Sequence, residues 1–175
     1  MRKKVLVAQS GGPTVAINAS LAGIIAGAAQ SRDYEVFGAA NGIKGVLDES
    51  FINLSGFRED VKNGKESVSE IKISQPDGTF DTWSPKSMID RLAITPSMYL
   101  GSCRYKLPSV EEGAEVYEKI FSILDKNDIG MFFYIGGNDS MDTVNKLSTY
   151  GKSIDSDIRF AGVPKSIDND LPVTD

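Results

Sequence analysis

The chain has no histidine and a single cysteine, Cys103, among its 175 residues. That inventory excludes an intrachain disulfide, a His–Cys zinc site and any nucleophile activated by an imidazole. Proton transfer therefore falls to Asp, Glu, Lys or Tyr. No stretch reaches the roughly eighteen apolar residues of a membrane-spanning helix. Met1-Arg2-Lys3-Lys4 precedes only a few apolar residues, far short of a signal peptide's apolar region, and no cleavage site follows. The expected location is cytoplasmic. Internal repeats and low-complexity tracts are absent too. With a formal charge of −5 the chain lacks the broad positive field that attracts nucleic acid or an anionic membrane, so local cations must hold any anionic ligand.

At 41% hydrophobic, the chain is long enough for one domain with its own core. Val5 to Ala8 reads as a buried strand, and Val15, Ile17, Leu21, Ile24, Ile25 and Ala28 recur at helical spacing. Glu35 to Ala40 reads as the next strand, ending at the turn dipeptide Asn41-Gly42. Ser109, with Glu112 three positions on, has the form of a capping box before the periodic Val116, Ile120, Ile123 and Leu124. A strand over 131–135 follows. Met141, Val144, Leu147 and Tyr150 then recur at helical spacing, with Gly151 expected as the C′ residue, before a strand over 159–163.

This alternation predicts an α/β fold: a Rossmann-like, mostly parallel sheet with helices on both faces. Residues from about 56 to 97 are polar and read as an excursion from that core. Ser84 as N-cap and Pro85 as first helical residue start a short helix to Leu92 within it.

Polar or glycine-rich turns follow three of the strands, and in open parallel sheets ligands sit outside the carboxyl ends of strands. Gly11 and Gly12 offer backbone N–H groups and a helix dipole to a phosphate, or make only a tight strand-to-helix turn. The spacing is neither a Walker A motif nor a full dinucleotide fingerprint. Gly136 and Gly137 have the same two readings. After them come Asn138, Asp139 and Ser140, where Asp139 is a good helix cap and also able to repel or replace part of a phosphate chain.

The third turn, Lys165-Ser166-Ile167-Asp168-Asn169-Asp170, places a cation and two carboxylates on one loop. In extended backbone Asp168 and Asp170 point the same way. A solvated Asx turn is the plain reading. Together with the two glycine turns, the loop supplies what phosphoryl transfer needs: donors for the moving charge, a metal site and a base for the attacking hydroxyl. Arg104 is either a surface arginine or a phosphate clamp. Cys103 reads as a small buried residue.

Four ordered motifs, Ser10-Gly11-Gly12, Leu100-Gly101-Ser102-Cys103-Arg104, Gly136-Gly137-Asn138-Asp139-Ser140 and Pro164 to Asp170, resemble the phosphofructokinase family, and specifically its pyrophosphate-dependent branch. The resemblance covers about Val5 to Asp175 apart from the 56–97 excursion, and implies the family's N-terminal α/β domain. It implies that Asp168 takes the proton from the sugar hydroxyl and that Ser166, Ile167 and Asp168 line the sugar phosphate of fructose 6-phosphate. Lys165 stands where ATP users tend to have glycine, and would stabilise the transferring phosphoryl group. Asp139 likewise replaces a glycine and would fill the space of an α-phosphate. Ser10, Gly11, Gly12, Arg104 and Ser140 would hold the diphosphate.

The implied cofactor is Mg²⁺, with Asn138 and Asp170 as ligands. Here the family's usual Gly-Gly-Asp has become Gly-Gly-Asn, so one ligand is a neutral amide oxygen. Members build the sugar-phosphate site from a second domain and often a neighbouring subunit, and this sequence stops soon after Asp170. The expectation is therefore a single phosphoryl-donor-binding domain over 1–175, the N-terminal part of a longer, homo-oligomeric enzyme acting on small molecules. The alternatives are an ATP-dependent 6-phosphofructokinase and a non-catalytic regulatory subunit.

Overall fold

The computed structural model of the chain describes residues 4–30, 34–58, 71–74, 80–83 and 88–165. Its strands are β1 (Lys4–Gln9), β2 (Glu35–Ala39), β3 (Phe51–Asn53), β4 (Ile71–Ser74), β5 (Phe80–Trp83), β6 (Ile129–Gly136) and β7 (Arg159–Pro164). Its α-helices are α1 (Val15–Gln30), α2 (Gly42–Leu47), α3 (Met88–Ile94), α4 (Val110–Lys126) and α5 (Asn138–Ser153).

Five strands form one sheet in the order β3-β2-β1-β6-β7, parallel except for the edge strand β3, which runs antiparallel to β2. β4 and β5 pair with each other as a separate two-stranded unit. The central strand β1 is an apolar run because both of its faces are covered. Its side chains alternate between two cores. Leu6 and Ala8 pack with Ile43 and Val46 of α2, Ile120 and Leu124 of α4 and Leu147 of α5. Val5 and Val7 pack with Ile17, Leu21 and Ile25 of α1 and Leu92 of α3. Helices thus lie on both faces of a mostly parallel sheet, as the alternation predicts.

Three local expectations change. At the start of α4, Ser109 is the N-cap residue, but its side chain makes no capping bond to the helix. Glu111 rather than Glu112 meets Ser109, and not as a capping box: its own backbone N–H, then the Ser109 side chain, hydrogen-bond its carboxylate and lower its pKa. Gly151 does not end α5. It is buried inside the helix, where a Cβ would stand 3.1 Å from the Phe121 ring, so a glycine there lets α5 approach α4. The left-handed residue that ends the helix is Asp155, at φ 52°.

The third change concerns the polar excursion. Ser84 and Pro85 lie outside the described residues, but α3 runs two residues past Leu92 and packs Leu92 against α1. This end of the 56–97 stretch therefore belongs to the core. Among the described residues no helix is long and apolar enough to cross a membrane.

Candidate functional site

β1 and β6 lie side by side and parallel, yet β1 hands the chain to α1 on one face of the sheet and β6 hands it to α5 on the other. Where neighbouring parallel strands send their helices to opposite faces, the loops that follow part and leave a crevice at the carboxyl edge. A cleft of about 750 Å³ occupies that position, and residues of three loops line it: Ser10 to Pro13, Ser102 to Lys106, and Gly137 to Ser140. Three of the four sequence motifs thus meet in one place.

The first loop turns at Gly11, whose φ of +90° disfavours any side chain. Gly136, closing β6, has no room for one either: a Cβ there would stand 2.8 Å from the Ser10 carbonyl oxygen and would run into Ser140 Oγ. The two glycine turns are further joined by the Ser10 N–H, which donates to the Ile135 carbonyl at 2.9 Å. α5 starts at Asn138 with no side chain capping it, so the positive end of its dipole is turned to the cleft. Asn138 and Asp139 are exposed at this rim, whereas Ser140 is buried beneath it.

The third loop crosses from the side of α2. Gly101, at φ +72°, turns the chain after Leu100, and Ser10 Oγ donates to the Cys103 carbonyl at 3.3 Å. Cys103 is half-buried rather than enclosed. Arg104 and Lys106 are exposed and line the cleft. Downstream, Lys146 Nζ donates to the Leu107 carbonyl at 3.1 Å while pairing with Asp142 at 2.8 Å, which ties this loop to α5.

Lys165, just past β7, joins the same assembly. Its N–H donates to the Gly136 carbonyl at 2.8 Å, and its Nζ donates to the Gly12 carbonyl at 3.4 Å. An ammonium from the far edge of the sheet therefore sits against the first glycine turn. Arg104, Lys106 and Lys165 supply local positive charge in an acidic chain, with Asp139 opposing them. Ser166, Ile167, Asp168 and Asp170 lie outside the described residues.

Tyr134 is a cleft residue that the sequence reading did not single out. It is 2% exposed on β6, and its hydroxyl accepts the Ile43 N–H at 3.4 Å. Burial pushes its pKa up, with a lesser push from Cys103, while hydrogen bonding with Ser10, Ile43 and Ser140 partly offsets the rise. Its phenol stays protonated at neutral pH, so Tyr134 orders the floor of the cleft and is not a base there. An aromatic inside a buried strand looks like ordinary core, which is why only coordinates reveal this role.

Among the described residues no three acidic or cysteine side chains gather as a metal-holding group. Oxygen donors are nonetheless present at the rim in Asn138 and Asp139. Mg²⁺ commonly takes one or two protein oxygens together with water and substrate phosphates, so this donor set fits such an ion.

The chain matches the family described as Phosphofructokinase over residues 4–175. It is 42% identical over 171 residues to a pyrophosphate–fructose 6-phosphate 1-phosphotransferase of Xanthomonas campestris pv. campestris, covering 98% of this chain and 34% of that protein. It is 37% identical over 175 residues to the protein of the same name from Methylococcus capsulatus, covering 99% of this chain and 35% of that protein. Among solved structures it resembles a pyrophosphate-dependent phosphofructokinase from Nitrosospira multiformis, with a TM-score of 0.71 and 36% identity over 99% of this chain and 36% of the other. The chain spans about a third of the length of these relatives.

Proposed function

Since the chain belongs to the phosphofructokinase family, we propose that the complete protein moves a phosphoryl group from pyrophosphate to fructose 6-phosphate, reversibly, giving fructose 1,6-bisphosphate and phosphate in glycolysis. The observation that carries this reading is Lys165 Nζ seated 3.4 Å from the carbonyl of Gly12, a residue that lines the cleft together with Asp139. An ammonium fixed there neutralises charge on the group in transit. A carboxylate at the start of α5 disfavours a donor with a longer phosphate chain than pyrophosphate. The relatives named above point to the same donor in their names.

In this reading Ser10, Gly11, Gly12, Arg104 and Ser140 bind the diphosphate, and Lys165 and Asp139 flank its reacting end. Asp168 accepts the proton of the sugar hydroxyl, and Ser166, Ile167 and Asp168 hold the sugar phosphate. Asn138 and Asp170 would hold Mg²⁺, which when bound offsets the negative charge of the phosphates. Phosphoryl transfer asks little covalent chemistry of a protein, so positioned charge is what these residues contribute. We place the enzyme in the cytoplasm as a homo-oligomer of longer subunits, with small-molecule substrates and no nucleic-acid or membrane partner.

The test is a coupled assay on the complete protein with Mg²⁺ and either pyrophosphate or ATP. Turnover with pyrophosphate is expected. Turnover with ATP and none with pyrophosphate overturns the donor assignment in favour of an ATP-dependent enzyme. Pyrophosphate binding without turnover assigns the protein as a regulatory subunit.

A further inference from the structure

Among the described residues, the two most deeply buried polar side chains lie behind the cleft and outside every role assigned so far. Gln9, at the end of β1, is 0% exposed, and Asn18, in the first turns of α1, is 1% exposed. Each interrupts an apolar pattern: Gln9 follows Val5-Leu6-Val7-Ala8, and Asn18 shares the buried face of Ile17, Leu21 and Ile25. Burying an amide is costly unless its donors and acceptors find partners, so both positions need a physical reason.

Both side chains are bonded at the nitrogen and at the oxygen. Gln9 Nε2 donates to the Ile17 carbonyl at 3.1 Å and to Asn18 Oδ1 at 3.3 Å, and Gln9 Oε1 accepts the Leu100 N–H at 2.8 Å. Asn18 Oδ1 also accepts the Tyr99 N–H at 2.9 Å, while Asn18 Nδ2 donates to the Thr95 carbonyl at 3.0 Å. The two amides therefore bond three backbone groups of the single strap 95–100, from a strand and a helix some 80 to 90 positions earlier in the chain. The strap is held further by the Leu100 carbonyl, which accepts the Asn41 N–H at 2.7 Å, and by a bridge from Thr14 to Ser97.

That strap delivers Ser102 to Lys106 into the cleft, while the residue after Gln9 is Ser10, the start of the first glycine turn. We propose that Gln9 and Asn18 are positioning residues that lock the Arg104 loop to the Ser10-Gly11-Gly12 turn, so that the two sides of the diphosphate site keep a fixed separation. This rests on the donor-binding reading above and adds to it the residues that set the site's width. A network with both amides satisfied is stiff and directional, which an apolar pair of the same volume is not. Binding a compact polyanion between two loops depends on that spacing, whereas binding the sugar, assigned above to Ser166, Ile167 and Asp168, does not.

The test uses the complete protein with three variants, Gln9→Met, Gln9→Glu and Arg104→Met, each confirmed folded by its thermal transition. Pyrophosphate affinity is read by calorimetry and by KM, next to the KM for fructose 6-phosphate. Gln9→Met is expected to weaken pyrophosphate at least tenfold while leaving the fructose 6-phosphate KM within twofold. Gln9→Glu is expected to restore most of the loss, since a buried and protonated carboxyl still accepts from Leu100 and donates once. If Gln9→Met does not fold, Asn18→Ala reads the same link from the helix side, with the same split expected. A folded variant binding pyrophosphate within twofold of the parent, while Arg104→Met loses it, overturns the inference alone. A parent that neither binds nor turns over pyrophosphate overturns the functional reading and this inference with it.

Discussion

Gly136 and Ser10 face each other so closely that a methyl group on the first would stand 2.8 Å from the carbonyl oxygen of the second. The obstacle is backbone at the end of the central strand, which cannot swing aside as a long side chain would. Gly136→Ala is therefore expected to destabilise the protein by about 1–3 kcal/mol, the range for forcing extra volume into a packed site. The urea midpoint measures this. Gly23→Ala on α1, where nothing lies within 4 Å of the added carbon, should instead raise stability by about 0.5–1 kcal/mol through helix propensity. Equal shifts in the two variants would refute the steric account.

Replacing Lys165 by methionine keeps most of the unbranched side chain and removes its charge from the first glycine turn. The expected loss in kcat with pyrophosphate is about 10²–10³, the range for deleting one preorganised donor to developing charge. The fructose 6-phosphate KM should change little. Stopped assays in the forward and reverse directions give both values, and an unchanged kcat would remove Lys165 from the transfer step.

For Asp168 the reading predicts a slower proton transfer rather than weaker binding. Asp168→Asn should lower the rate by about 10²–10⁴, as loss of a general base usually does. A variant within threefold of the parent would remove Asp168 from that role.

Tyr134 makes a prediction about alkaline pH. Burial raises its pKa in the folded protein, so the native state keeps this proton after an unfolded chain has released it. The unfolded state then binds fewer protons, and stability falls as pH climbs above about 10, the ordinary tyrosine value. Tyr134→Phe should flatten that decline and lower stability near neutral pH by about 0.5–1.5 kcal/mol for the lost hydrogen bonds. Thermal transitions between pH 7 and 11 would show both effects, and parallel curves for variant and parent would contradict them.

Much of this was legible because the pattern was local. Apolar runs with helical or strand periodicity located β1, α1, β2, α4, β6, α5 and β7, and glycine with Asn, Asp or Ser at strand ends marked the loops that meet in the cleft. What stayed hidden depended on distance along the chain. Gly151 looks like a helix terminator in sequence and proves to be a packing gap against Phe121, 30 positions earlier. The six residues of α2 contain two glycines and a lysine, a composition that reads as loop until Ile43 and Val46 are seen filling the core. Gln9 and Asn18 drew no notice in the sequence, because what gives them a role is their partners at Thr95, Tyr99 and Leu100, far along the chain.

The sheet order also constrains how the protein is made. β1 is finished by residue 9, but its neighbour on one side, β6, does not begin until residue 129. Throughout that stretch of translation the middle of the future sheet has β2 on one flank and a row of unmet amides and carbonyls on the other. Pairing over so long a separation is slow, and nascent chains with bare strand edges stick to one another. Until residues 129–136 arrive, that edge of β1 stays open to a strand of another copy of the chain.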